Sequence, residues 1–169
     1  SDLKRSLGLR ATQKLILQFI ISFIFAYYVY LTHGSEIYIP FIKTTINIGI
    51  YFVPFIVFVI VGTVNSVNLT DGLDGLAAGI TFIVSAFFTL TGLITGNIMV
   101  MLFGGSVTGS ILGFLRYNAY PAEVFMGDTG SLGLGGAVAG MAVILGMPLV
   151  LPIVGGIYVI ESLSVILQV

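Results

Sequence analysis

The chain contains no cysteine, no tryptophan and a single histidine, and only 8% of its 169 residues are charged. Without cysteine there is no disulfide framework and no thiolate metal site. One histidine leaves a zinc centre short of ligands. The shortage of charge excludes more. A soluble domain carries about a quarter Asp, Glu, Lys and Arg, whereas this chain is 57% hydrophobic with a mean hydropathy of +1.14. That is the composition of a membrane protein. Because the net charge is −1 and no long basic run occurs, nucleic acid is not an expected partner.

What the chain has instead is long apolar runs. A spanning helix takes about 20 apolar residues, and about six segments qualify: 15–32, 48–64, 76–95, 97–115, 131–147 and 148–168. Pro54 in the second, the short glycine-rich fifth and the tight turn at Gly146-Met147-Pro148 leave these open to tilting or breaking. Between the first two, SEIYIPFIKTTINIG (35–49) alternates apolar and polar residues around a turn, which predicts a small extracytoplasmic β-hairpin. The expected fold is therefore all-α, a polytopic membrane helix bundle forming one integral membrane domain over 1–169. The basic start, SDLKRSLGLRATQK, precedes a run too long for a signal-peptide core and lacks a small-residue cleavage site, so it is expected to lead into a retained helix.

Orientation follows from the positive charges. If six spans alternate, Lys4, Arg5, Arg10, Lys14 and Arg116 fall on one side and Lys43 on the other, which makes the first side cytoplasmic. The same parity places the loop 65–75, with Asp71 and Asp74, and the loop 116–130, with Glu123 and Asp128, on that face. Two small-residue stripes, Gly105/Gly109/Gly113 and Gly136/Gly140, have the spacing that lets transmembrane backbones approach, and are expected to pack helices within one subunit.

The loops carry the chemistry. In NLTDGLDG, Asp71 or Asp74 could cap the helix starting near Leu76, and Asp128, Thr129 or Ser131 the fifth helix. One residue per helix suffices for capping, yet Asn65, Asn68, Asn118 and several hydroxyls accompany the aspartates. A carboxylate at the centre of a spanning helix costs about 2.5–3.5 kcal/mol, so these groups belong at an interface or around a watery cavity. Clustered Asp and Asn oxygens without Cys or His suit Mg²⁺, which binds through one or two carboxylates plus substrate phosphates. A phosphorylated substrate beside several aspartates would otherwise be repelled by about 4 kcal/mol per close charge pair at an effective dielectric of 20. The residues alone thus lead to Mg²⁺-dependent phosphoryl chemistry at a membrane surface, without naming a substrate.

NSVNLTDGLDGLAAG (65–79) and FLRYNAYPAEVFMGDTGSLGLGG (114–136), with GLRATQKLILQ (8–18), IYIPF (37–41) and IYVIESLSVILQV (157–169), resemble the phospho-N-acetylmuramoyl-pentapeptide transferase family of the polyprenyl-phosphate N-acetylhexosamine-1-phosphate transferase superfamily. The resemblance implies transfer of phospho-N-acetylmuramoyl-pentapeptide from its UDP-linked donor to undecaprenyl phosphate, releasing UMP and making lipid I for peptidoglycan. It also implies a multi-pass protein of the bacterial plasma membrane, active on the cytoplasmic face, in contact with membrane lipid, with a homodimer as the family's assembly. Carried over by position, Asp128 is the magnesium ligand and Asp71 an essential acid of the cleft, as base or electrostatic organiser. Asp74 sits at the nucleoside pocket, Phe125 stacks on uracil, and Asn68 and Asn118 are polar residues of the same cleft. Glu123 and Arg116 read as solvated charges, Glu161 as paired within the bundle, and His33 as lying on the far face.

Ser66 and Arg116 depart from the family's usual residues. An upstream paired-aspartate motif and a downstream histidine-rich loop are missing, so the chain is expected to be the central-to-late portion of a longer enzyme, inactive alone. The related reading is transfer of N-acetylglucosamine-1-phosphate to polyprenyl phosphate. From a different class, an ion-coupled transporter would want its acids near the midplane and paired segments in two repeated halves. A purely structural subunit leaves the carboxylates without a role.

Overall fold

The structure is a computed structural model that describes residues 10–168; Lys4 and Arg5, used above for orientation, lie outside the described residues. Among the described residues four helices, against about six expected spans, are long and apolar enough to cross a membrane: α1 (Ala11–His33), α2 (Phe52–Thr70, entered through a 3-10 turn at Gly49–Tyr51), α3 (Leu76–Thr95) and α4 (Ile98–Asn118). They are followed by α5 (Gly127–Ile144), a short α6 (Leu151–Val154) and α7 (Gly156–Gln168). The fold is the expected all-α membrane bundle.

The boundaries differ from expectation where tertiary contacts intervene. The second span was expected to end near residue 64, but α2 continues to Thr70. Asn65 and Asn68 therefore ride on its last turns instead of lying in a loop, with partners on α1 and α5 that a sequence window does not see. Pro54 does not break α2, because it falls in the first turn, where no intrahelical acceptor is lost. The last apolar segment is interrupted at Gly155 between α6 and α7.

Residues 36–47 form the hairpin that the alternation predicted, β1 (Glu36–Ile39) against β2 (Thr44–Asn47), antiparallel with Ile37 opposite Ile46. Its base is tied by Asn47, whose Oδ1 accepts from Ser35 Oγ at 2.8 Å and Gly49 N at 2.9 Å. Tyr38 N–H donates to Gly146 O at 2.8 Å, holding β1 against the C-terminal end of α5.

α2 is the central helix, burying Ile56, Ile60, Val64 and Val67 against α1, α5 and α7. Its crossing with α5 is close: a Cβ built on Gly135 would lie 2.7 Å from Val64 Cα. α3 and α4 pair as closely, since a Cβ on Gly92 would come within 2.9 Å of Met101 N. A hydroxyl contact, Thr108 Oγ1 to Ser85 Oγ at 2.9 Å, joins the same two helices. Gly96 at φ 72° and Asn97, which accepts from Val100 N at 3.0 Å, turn the chain between them as expected. The stripes behave otherwise than expected: a Cβ on Gly109, Gly113 or Gly136 would touch nothing within 4 Å, and one on Gly105 or Gly140 would make only ordinary contacts. Glycines at close helix contacts, Gly92, Gly104 and Gly135, lie outside either stripe.

Candidate active site

At the end of the bundle where α1 begins and α2 finishes, two polar loops meet. Asp71 and Asp74 occupy the turn between α2 and α3, and the loop 119–126 joins α4 to α5. Neither aspartate caps α3. That helix starts at Gly75, which is left-handed at φ 72° and makes no side-chain cap. A Cβ on Gly75 would also sit 3.3 Å from Ala119 Cα, so the turn is pressed directly against the second loop. Asp74 Oδ2 accepts from Ala122 N at 3.0 Å, and Asn118, buried at 3% exposure, donates from Nδ2 to Val124 O at 2.9 Å. The first bond ties the two loops together and the second folds the later loop back on the end of α4, leaving Phe125 at the surface with 73% of its area exposed.

The charged cluster lies beside these loops, at the start of α5. Asp128, in the first turn of α5, pairs with the ammonium of Lys14 on α1. Its other carboxylate oxygen accepts from Asn68 Nδ2 at 3.2 Å, and the same amide donates to Ser131 Oγ at 2.8 Å. Asn65 Nδ2, one turn back on α2, donates to Gln18 Oε1 at 2.7 Å. Lys14, Gln18, Asn65, Asn68 and Asp128 line an open groove of about 460 Å³.

The electrostatics separate the two acids. Hydrogen bonds from Lys14 and Asn68, then the Lys14 charge, hold the Asp128 carboxyl below the usual carboxylate range. Burial pushes the Asp71 carboxyl up, the Gly127 backbone N–H draws it partly back, and the Asp128 charge raises it further. The two carboxylates are thus close enough to feel one another, and among the described residues Lys14 makes the only salt bridge there.

Mg²⁺ was expected at Asp128, and the donor set fits it. Asp71 and Asp128 offer hard oxygen ligands with no soft ligand near, and their mutual repulsion favours a cation. Among the described residues no group of three or more His, Cys, Asp or Glu gathers to hold a metal.

Of the expected site residues, Asn68, Asp71 and Asp128 share one cluster, Asp74 and Asn118 brace the adjoining loops, and Phe125 stands at the rim. Reading the chain for charge left Lys14 as an orientation marker and overlooked its pairing with Asp128. Its signal was its place within GLRATQKLILQ, three residues into α1. His33 and Lys43 are at the opposite end, beside the hairpin, as the alternation of spans required.

An apolar groove of about 400 Å³ runs along α2 from Phe55, near the hairpin end, to Ser66, between α2 and α6–α7, walled also by Phe58, Leu149, Tyr158 and Leu163. Tyr158 is buried there and holds α7 to α3 through its hydroxyl, 2.5 Å from Thr81 Oγ1.

Residues 2–146 match the family model described as glycosyl transferase family 4. Three curated relatives carry the name phospho-N-acetylmuramoyl-pentapeptide-transferase. That of Thermoanaerobacter sp. (strain X514) is 60% identical over 98% of this chain and 52% of its own length. That of Clostridium botulinum (strain Eklund 17B / Type B) is 55% identical over 97% and 51%, and that of Caldicellulosiruptor bescii 52% identical over 99% and 52%. The chain spans about half the length of the curated relatives it matches.

Proposed function

The chain belongs to glycosyl transferase family 4, and from that premise we propose that the protein it represents transfers phospho-N-acetylmuramoyl-pentapeptide from a UDP-linked donor to undecaprenyl phosphate. The products are lipid I and UMP, and the reaction takes place at the cytoplasmic face of the bacterial plasma membrane. The observation that carries this reading is the meeting of Lys14, Asn68, Asp71 and Asp128 at one bundle end, with an apolar groove along α2 that reaches Ser66, one turn before that end. Phosphate chemistry and a prenyl chain need those two environments side by side.

In this reading an oxygen of the acceptor phosphate bonds to the β-phosphorus of the donor while the bond from that phosphorus to the UMP oxygen breaks, and UMP leaves with the electron pair. Asp128 would hold Mg²⁺, which when bound would supply positive charge against the diphosphate and polarise its oxygens. Asp71, whose carboxyl feels the Asp128 charge, would serve as base or as electrostatic organiser of the cleft. Lys14 brings a cation to the same spot and keeps Asp128 ionised. Asn68 orients the Asp128 carboxylate by its hydrogen bond. Asp74 and Asn118 hold the second loop so that Phe125 presents its ring to the uracil. The groove between α2 and α6–α7 seats the prenyl chain, with the polar end toward the acids. Rate enhancement then comes chiefly from positioning and charge stabilisation. A homodimer is the assembly the family resemblance suggests.

The test is UMP release by the intact protein in detergent with undecaprenyl phosphate, comparing UDP-N-acetylmuramoyl-pentapeptide with UDP-N-acetylglucosamine, with and without Mg²⁺, and with Asp128→Asn. Release from the muramoyl donor alone, lost without Mg²⁺ and in the variant, supports the reading. Release from the other donor moves the protein to the N-acetylglucosamine-1-phosphate branch, and none from either overturns transfer.

A further inference from the structure

At the end of the bundle away from the acids, the hairpin presents an apolar tip. Phe41 is 84% exposed and Ile42 69%, although the β2 residues that follow, Thr44, Thr45 and Asn47, are largely polar. A two-stranded hairpin is marginal in water by itself, so this one needs support from what surrounds it. On one side it has it: Ile37 is buried and Tyr38 N–H is bonded to Gly146 O at the end of α5. The hairpin is therefore held down across the end of the bundle. On the tip side, no described residue covers Phe41 or Ile42.

We infer that the tip, Phe41-Ile42-Lys43, docks into the headgroup region of the lipid leaflet on the hairpin's own side. Both feet of the hairpin continue directly into membrane-spanning helices, α1 through Gly34 and α2 through Gly49, so the hairpin starts at the bilayer surface. Its four-residue strands reach about 13 Å at about 3.3 Å per residue. Tyr38, three residues before Phe41, is bonded to Gly146 at the end of α5, which keeps the tip within about 10 Å of that helix end, in reach of a headgroup layer about 5–8 Å deep. Tyr51, exposed where α2 begins, marks the interfacial level at which aromatic side chains gather. The third tip residue completes the match. Lys43 follows the two apolar residues and is the one lysine or arginine at this end among the described residues, the others, Arg10, Lys14 and Arg116, lying at the acidic end. An apolar pair flanked by a cation is complementary to an anionic phospholipid surface, with apolar side chains toward the acyl boundary and the ammonium at the phosphates. The Lys43 backbone, at φ 53°, adopts a left-handed conformation that closes the turn. This inference does not rest on the transfer reaction.

The experiment places an environment-sensitive fluorescent amino acid at position 41 of the intact protein, and in separate preparations at 42 and at 45, in nanodiscs of phosphatidylcholine containing phosphatidylglycerol. The expected result is several-fold stronger quenching by a shallow lipid spin label at 41 and 42 than at 45, with the order reversed for aqueous iodide. Equal iodide quenching at all three positions would put the tip in water and overturn the inference. Protection of 41 and 42 from both quenchers would overturn it as well, by showing that another protein segment or a second copy covers the tip.

Discussion

The two ends of this bundle are built by opposite means. At the acidic end, side chains reach across elements distant in sequence: Lys14 to Asp128, Asn68 to Asp128 and Ser131, Asp74 to the Ala122 backbone. At the hairpin end the links are short in sequence, by backbone ladder and by Asn47 at the base, with Tyr38 to Gly146 the long-range backbone tie. Side-chain networks of charged and amide groups hold reactive oxygens apart from the protein's own packing. A backbone ladder fixes shape without leaving functional groups free. The difference leaves polar groups available to a ligand at one end and fixes shape at the other.

Substitutions should divide along that line. The largest effect is expected for Asp128→Asn, which removes one carboxylate charge from the cluster and should lower UMP release by the intact protein on the order of 10²–10³-fold. Thr45→Ala at the hairpin end should leave the rate unchanged in the same assay, and a comparable loss there would erase the distinction. Lys14→Met should sharpen it. An exposed ion pair contributes about 0–1 kcal/mol to stability, so thermal unfolding in detergent should barely move while UMP release falls about tenfold or more; a parallel fall in both would make Lys14 a merely structural residue.

A third test concerns the bracing of the loops. Asp74→Ala frees the Ala122 N–H, and a hydrogen bond to a charged group is worth about 1.5–3 kcal/mol. The expected outcome is a rise in KM for the nucleotide donor larger than any fall in kcat, because the loop carrying Phe125 loses its anchor. Smaller in energy is the contrast between glycines. Gly135→Ala should destabilise by about 1–3 kcal/mol, since its Cβ would meet the α2 backbone, while Gly109→Ala, facing open space, should stay within about 0.5 kcal/mol in the same thermal series.

The smallest expected effect is a titration. Asp128 lies below the usual carboxylate range, so its pairing adds stability above its unfolded value and loses it as pH falls through the lowered folded value. Asp71 lies above the range, so its charge opposes folding above its unfolded value, and the penalty lifts as pH falls through the raised folded value. In metal-free protein, infrared carboxyl bands assigned with Asp71→Asn and Asp128→Asn should show Asp71 protonating first as the pH is lowered. The reverse order would contradict the geometry of the cluster.

Much of this was legible in the residues, for reasons that are local. Apolar run length marked the membrane helices, and period-two alternation marked the hairpin at 36–47. Excess aspartate and asparagine in two loops singled out the end that carries the cluster. Capping, set aside in the sequence because one residue per helix suffices, is absent for Asp71 and Asp74: Asp74 bonds to the Ala122 backbone and Asp71 to that of Gly127 at the start of α5. Asn65 and Asn68 were assigned to a loop because amides end helices in isolation; α2 keeps them because Gln18, Asp128 and Ser131 satisfy them.

By itself the sequence determined that this is a membrane helix bundle with its acids at one face, because hydrophobicity, charge and turn chemistry act over a few residues and can be read in a window. Only the tertiary structure decided that Lys14 would meet Asp128, that Asn68 would sit between α2 and α5, and that Gly92 and Gly135 would be the crossing points instead of the regular stripes. Those outcomes depend on how two helices approach and rotate about their axes. Every side chain at the contact sets that geometry jointly, so no spacing within one segment encodes it.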